Sequence, residues 1–288
     1  MKILLPVILC AFSLCAEEFC MAAYNVENLF DAKKDGTEYK EFIPSKYGWS
    51  EEEAENKFKN TLRVLKDLKS EVIALQEIEN EDLLKRLKNE LGFKYHAFGK
   101  NKNAAVGLGI VSKYEIVKAQ NFSLKGYERF RPILHAKIKA GGEIFSIFVN
   151  HFPSLNNPNY MREAYANALA HHMKNGGEKK SMLLGDFNII DYENSPLKEV
   201  LGDGVYDLWN ELPKKSRWNY VYKTERNALD RILLSKSLLE DAKFRYVKKS
   251  FSVFKEKYLL DSKNAPKGNF RGFSDHLPLK ACFEIIQD

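Results

Sequence analysis

Four apolar, β-prone runs in this chain each close on a residue that an apolar strand buries only at a cost. Asn25 ends the first run of FCMAAYNVENLF (19–30), and Glu77 ends EVIALQE (71–77). His151 ends IFSIFVNH, and Asp186, with Asn188 behind it, ends SMLLGDFN. A strand covered on both faces delivers polar side chains cheaply only at its ends, where α/β enzymes build their sites. A further cluster, Ser274-Asp275-His276, comes at the start of a run, just before LPLKACFEI. If that last strand lies antiparallel to the first, Asp275 and His276 reach the edge that holds Asn25. The same pairing places Cys20, five residues before Asn25, level with Cys282, six after His276. This predicts a Cys20–Cys282 disulfide, with two separate buried thiols as the alternative reading.

The remaining apolar runs, AVGLGIVSKY (105–114), PILHAKI (132–138), LDRILLS (229–235) and HLPLKACFEI (276–285), are rich in β-branched and aromatic residues and read as strands. Helical segments alternate with them. SEEEAENKFKNTLRVLKDLK (50–69) opens on Ser50 as N-cap and sets Phe58, Leu62, Leu65 and Leu68 on one face. EDLLKRLKNELG (81–92) and NYMREAYANALAHHMKNGG (159–177) are the second and third helices, stopped by Gly92 and by a Gly-Gly pair. His171 and His172 lie near the end of the third, where they complement its dipole; a metal role is the alternative. The segment 251–276 is the least regular and reads as a surface loop, with substrate contact as its functional alternative.

Lys2 followed by ILLPVILCAFSLCA has the form of a secretory signal peptide, so residues 1–16 are expected to be a leader. Residues 17–288 would then form a single catalytic domain of an exported protein, periplasmic or extracellular, with no membrane insertion once the leader is cut. Lys+Arg number 45 against 39 Asp+Glu, and this net +6 suits an anionic partner without requiring one.

Glu77, Asp186 and Asp275 with Asn25 and Asn188 offer oxygen ligands and almost no sulfur. Such a set favours Mg²⁺, with Mn²⁺ or Ca²⁺ as neighbours. Two histidines beside carboxylates supply proton transfer, and a metal with a general base is equipment for cutting phosphate esters with water.

YNVENLF, LQEIEN, VNHFPS, LLGDFNI, ALDRILLS and SDHLPL, in this order, resemble the endonuclease/exonuclease/phosphatase superfamily, the DNase I-like phosphodiesterases, over about Tyr24 to Ile285. The resemblance implies an α/β fold: a four-layered αββα sandwich of two packed mixed sheets flanked by helices, with the site at one edge. It implies Glu77 as principal metal ligand, and Asn25 and Asp275 in the metal and water shell. Asp186 and Asn188 would orient the attacking water and the scissile phosphate. Asp230 would fix the tautomer of His276, the general base; His151 would donate to a phosphate oxygen or the leaving group, and Arg131 would neutralise phosphate charge.

His151 resembles the DNase branch, whereas AP endonucleases carry tyrosine there and LQETK in place of LQEIEN. Inositol-polyphosphate phosphatases have a tryptophan before the GD-N motif and a Cys-Asp-Arg motif, where this chain has Leu183-Leu184 and Leu229-Asp230-Arg231. NVENLFD, the later Trp49 and LDRILLS most resemble the exported bacterial endonucleases of this superfamily. The expectation is therefore a Mg²⁺-dependent endonuclease acting on nucleic acid, DNA foremost, with low sequence specificity and 5′-phosphate and 3′-hydroxyl products. A phospholipase C or sphingomyelinase-like enzyme on the same scaffold is the alternative, with KKSFSVFKEKYLL (248–260) as its membrane-entering hairpin.

Overall fold

The computed structural model describes residues 16–175, 179–269 and 271–286. The expected leader lies outside them except for Ala16, and so does the Gly-Gly pair after the third helix. In chain order the strands are β1 (Ala16–Leu29), β2 (Val72–Ile78), β3 (Tyr95–Gly99), β4 (Gly107–Ser112), β5 (Glu115–Phe122), β6 (Ile133–Ala140), β7 (Glu143–His151), β8 (Ser181–Asp186), β9 (Val205–Asp207), β10 (Tyr220–Tyr222), β11 (Glu225–Asn227), β12 (Asp230–Ser235), β13 (Phe244–Tyr246), β14 (Ser252–Val253) and β15 (Leu279–Ile286). The three long helices are α1 (Glu51–Leu68), α2 (Glu81–Glu90) and α3 (Asn159–Asn175).

The strands form two mixed sheets. One runs β13-β15-β1-β2-β4-β3, with β14 on β15; the other runs β5-β6-β7-β8-β12-β9, and β10 and β11 make a separate ribbon. Because side chains alternate along a strand, each central strand feeds two layers. In β1, Phe19, Met21 and Ala23 face the inter-sheet core, where they meet Leu134, Ile147, Met182 and Ile232 of the second sheet. Ala22, Tyr24 and Val26 face the other way, onto Phe58, Leu65 and Leu68 of α1 and Leu84 and Leu87 of α2. The second sheet covers its outer face with Tyr165, Ala166 and Leu169 of α3. Helix, sheet, sheet, helix is the four-layered sandwich, and the stacked inner faces are the thickness of its core.

Local chemistry agrees with the ends of these elements. Ser50 caps α1 by accepting from Glu53 N at 3.2 Å, and Asn80, a cap the sequence pattern did not single out, does the same for α2 from Leu83 N at 2.9 Å. β3 and β5 are edge strands without a sustained apolar face; β5 reads EIVKAQNF and is mostly exposed, so no periodic signal marks it. Cys20 and Cys282 stand directly opposite in the antiparallel β1–β15 ladder and are joined by a disulfide.

The 251–276 segment departs from the surface-loop reading. Phe251 and Leu259 are buried, and Phe254, Tyr258, Leu260 and Phe273 pack against the α1 side of the first sheet. Its irregularity reflects short bridges, Leu260 to Pro266 and Gly268 to Phe273, rather than an absence of packing.

Candidate active site

The second sheet makes its share of the site by regular alternation. Val149, Leu184 and Ile232 form one inner rung of β7, β8 and β12; the next inner rung is His151, Asp186 and Asp230. The apolar face simply turns polar where the strands end. Gly185 is required for this approach: it has φ +119°, and a Cβ there would stand 2.2 Å from Asn150 O. Asp186 is followed by Asn188 at φ 49°, whose N–H returns to Asp186 Oδ1 at 2.9 Å and whose amide donates to Phe152 O at 3.1 Å.

The first sheet reaches the same cavity by breaking its own pattern. Asn25 pairs with Gln76, and Leu29 with Ile78, so three residues of β1 bulge against one of β2. Glu77, which strict alternation would send toward the helices with Leu75, has φ 68° and turns into the cavity instead. Among the described residues, ten non-glycine positions have positive φ, and Glu27, Asn28, Glu77 and Asn188 all line this one cavity. Strained backbone of this kind persists only where its surroundings hold it. Asn28 N donates to Glu77 Oε2 at 2.8 Å, and Asn25 Nδ2 donates to Glu77 Oε1 at 3.1 Å and Asp186 Oδ2 at 3.2 Å, tying the sheets together. Asn25 Oδ1 accepts from Glu27 N, so the amide presents its N–H groups to the carboxylates of Glu77 and Asp186.

The connection before β15 completes the rim. Ser274 Oγ donates to Asn25 O at 2.6 Å, and Asp275 N to Glu27 Oε2 at 3.1 Å, so the Ser-Asp-His segment is docked on the β1 bulge. His276 Nδ1 lies 2.5 Å from Asp230 Oδ2, and Asn219 Nδ2 donates to the same oxygen. Its Nε2 is 4.0 Å from Asp186 Oδ2 and 3.9 Å from Asp275 Oδ1. Opposite, His151 Nε2 stands 3.5 Å from Asp186 Oδ2 and 3.7 Å from Glu77 Oε1.

The two rings are pushed in opposite directions. Burial, with Arg131 and His276 nearby, holds His151 well below the ordinary histidine range. Burial opposes charge on His276 too, but the carboxylates of Asp230, Asp275 and Asp186 outweigh it and lift that ring well above the range. The acids repel one another. Burial and then Asp275 push Glu27 up to about 8, and burial and then Asp230 push Asp186 to about 7. Glu77 is raised by the same two causes, burial first and Asp275 second.

Arg131 departs from its expected place. It does not line the cavity; its Nη2 donates to the carbonyls of His151 and Phe152, both at 3.1 Å, and it is buried behind the wall. Its guanidinium anchors the end of β7 and lends a positive field to His151. His171 and His172 are away from the cavity, His172 stacked on Phe122 and His171 bonded to Asn175.

Glu27, Lys57, Asn219 and Tyr220 are site residues that sequence reasoning did not assign. Glu27 lies within the YNVENLF motif, but only the bulge turns it inward. Lys57 falls on the buried stripe of α1 with Thr61, Val64 and Leu68. Its ammonium has no hydrogen-bond partner, and it feels Glu27, Asp275 and Glu77; burial lowers its pKa to about 8. Spacing from Thr61 and Leu68 was the available signal.

Glu27, Glu77, Asp186 and Asp275 converge on a cavity of about 400 Å³. An all-oxygen set crowded enough that burial and mutual repulsion raise Glu27, Glu77 and Asp186 fits a hard divalent cation. Residues 20–283 match the model of the Endonuclease/Exonuclease/phosphatase family. The chain belongs to this family. Its fold is also that of solved structures at low identity. TDP2 of D. rerio complexed with single-strand DNA product is 17% identical, with 92% of this chain and 98% of that chain covered and a TM-score of 0.66. A mannosyl-6-phosphatase of Bacteroides thetaiotaomicron is 19% identical over 91% and 98%, TM-score 0.63, and an AP endonuclease from Archaeoglobus fulgidus 17% identical over 91% and 98%, TM-score 0.62. A search of curated proteins finds no match. Membership makes this chain a metal-dependent hydrolase of phosphate esters.

Proposed function

We propose that the protein is an exported, Mg²⁺-dependent endonuclease that hydrolyses phosphodiesters of nucleic acid, DNA foremost, with low sequence specificity. The observation that carries the reading is the His276–Asp230–Asn219 chain facing His151 across the carboxylates. Asp230 holds the Nδ1 proton of His276 and leaves Nε2 toward the cavity, where it can take a proton from water. His151, kept neutral by burial, can donate an Nε2–H hydrogen bond to a phosphoryl oxygen or to the leaving 3′-oxygen, which takes its proton from solvent. Asp186 and the Asn188 turn orient the water between the two rings. Glu77, Asp275 and Glu27 would hold the divalent ion, which would polarise the phosphoryl oxygen and offset charge building up in the transition state. Of the carboxylates that raise His276, Asp275 is one that such an ion would neutralise, so a bound ion would favour the ring's proton-accepting form. In-line attack with the 3′-oxygen leaving gives 5′-phosphate and 3′-hydroxyl ends.

Nucleic acid is supported by the wall of the cavity. Among the described residues no Lys or Arg lines it, which does not suit a phosphate monoester carrying a full dianion. The β10–β11 ribbon instead sets Tyr222, 57% exposed, at the mouth, with Lys223 and Arg226 on the same ribbon. An exposed aromatic beside cations is how a strand is held by its base and its backbone together. The lipid alternative loses its membrane hairpin, because the apolar residues of 248–260 are packed against the core. Among the described residues no helix is long and apolar enough to cross a membrane.

End analysis of a labelled oligonucleotide tests this reading, run beside sphingomyelin vesicles and a sugar phosphate. We expect 5′-phosphate termini and a rate that falls steeply with salt. Turnover of the vesicles or the sugar phosphate with the oligonucleotide intact would replace it.

A further inference from the structure

Immediately after the β1 bulge the chain reads DAKKDGTE (31–38), and this loop folds around its own acids. Lys33 N donates to Asp31 Oδ1 at 2.7 Å, Thr37 N to Asp35 Oδ1 at 2.7 Å, and Gly36 N to Glu38 Oε2 at 2.9 Å. Glu79, two residues beyond the β2 bulge, is only 1% exposed. Its Oε2 accepts from Asp31 N at 2.7 Å, but its Oε1 is buried with no hydrogen-bond partner. Carboxylate oxygens of Asp35, Glu38 and Glu79 all lie within 4.8 Å of one another. Lys100 brings an ammonium 3.4 Å from Asp35 Oδ2 and 3.1 Å from Thr37 Oγ1.

A buried carboxylate with an orphaned oxygen, next to two more acids, is costly unless a cation completes it. One ammonium at the outer edge does not reach that oxygen by hydrogen bond. Oxygen donors from a short turn-rich loop, together with one acid from a distant strand end, are the donor set of a flexible hard-cation site. Mg²⁺ is less suited, since its octahedral demand is hard to meet from a loop of this kind. We propose that Asp35, Glu38 and Glu79 form a Ca²⁺ site that clips loop 31–38 to the end of β2, separate from the catalytic carboxylates and in competition with the Lys100 ammonium.

Tb³⁺, a hard ion with Ca²⁺-like ligand preferences, provides the test, because Trp49 Nε1 donates to Asp31 O at 2.7 Å and sets an indole beside the loop. Exciting tryptophan in the metal-stripped full chain should give Tb³⁺ luminescence that Ca²⁺ displaces. Asp35→Asn and Glu38→Gln lie on the loop rather than in the core, so they should fold; each should weaken Ca²⁺ about tenfold or more, as loss of ligand charge does. Lys100→Met should tighten it. Asp275→Asn, which alters only the catalytic cluster, should leave the signal in place. Absence of sensitised luminescence, its persistence in Asp35→Asn and Glu38→Gln, or its loss in Asp275→Asn would overturn the site.

Discussion

The two halves of the active site are built by opposite means. The second sheet contributes His151, Asp186 and Asp230 as one more rung of a regular alternation whose previous rung is Val149, Leu184 and Ile232. The first sheet contributes Asn25, Glu27 and Glu77 through a bulge and three left-handed residues, with Asp275 hung on it by a bond to Glu27. A regular rung is rigid and suits groups whose mutual geometry must not change during proton transfer. A bulge can crowd acids that a flat strand would spread out, and so can hold them ready for a cation. His276 hangs from the irregular half but bonds to Asp230 of the regular one, so its hydrogen bond is the seam between the two.

Cutting that seam should have the largest effect. Asp230→Asn removes the anion that raises His276 and should lower kcat by about 10²-fold or more. A general base whose pKa is raised must lose its proton to act, so wild-type activity should climb with pH through the range above ordinary histidine. In Asp230→Asn the rising limb should move to lower pH, which a pH profile of kcat/KM resolves.

Next in size is the link that keeps the irregular half in register. The Cys20–Cys282 bond closes a loop across a sequence separation of 262 and pins β1, the strand that carries the bulge, to β15. Cys282→Ser should cost about 2–4 kcal/mol in denaturant unfolding. The folded variant should bind metal more weakly while the regular rung is unaffected.

Disturbing the regular half has a smaller expected cost. In Gly185→Ala the new Cβ would press on Asn150 O, and β8 must shift at an expected cost of about 1–3 kcal/mol. Because Asp186 follows directly, its turnover should fall more than its substrate affinity. An unchanged kcat would show that the rung is less rigid than its register implies.

Of the two halves, the regular one was the more legible in the sequence. His151 and Asp186 end apolar runs whose alternation can be counted, and β7, β8 and β12 were all marked by such runs. Glu77 was visible as the end of a run, but not its reversal, because a left-handed φ at a glutamate leaves no trace in residue type. Glu27 and Lys57 were hidden for related reasons: one depends on the bulge, and the other is a lysine on an apolar stripe, which pattern reading assigns to the solvated face. Asn219 was unreadable because its partnership with Asp230 spans the β10–β11 ribbon, whose strands are too short to show a period. Arg131 was misplaced because a side chain before Pro132 can reach either the cavity or the carbonyls behind it, and only packing decides.

The smallest predicted effect separates the halves by their protons. Glu27 and Asp186 titrate near 8 and 7 in the fold, above their ordinary 4.5 and 3.8. The folded state therefore keeps protons that the unfolded chain has shed, and the stability they lend at low pH is lost as pH rises through 7 and 8. A divalent ion offsets that loss. The gain in Tm on adding Mg²⁺ to stripped protein should thus be larger near about pH 8.5 than near about pH 5.5.

The most direct test of the account is digestion of supercoiled plasmid by the purified protein with Mg²⁺, beside EDTA and His276→Ala controls. The account predicts nicking and then linearisation by the wild type, abolished by EDTA and reduced by about 10³-fold in a folded His276→Ala. Plasmid cut equally well by His276→Ala, or in the presence of EDTA, would contradict it.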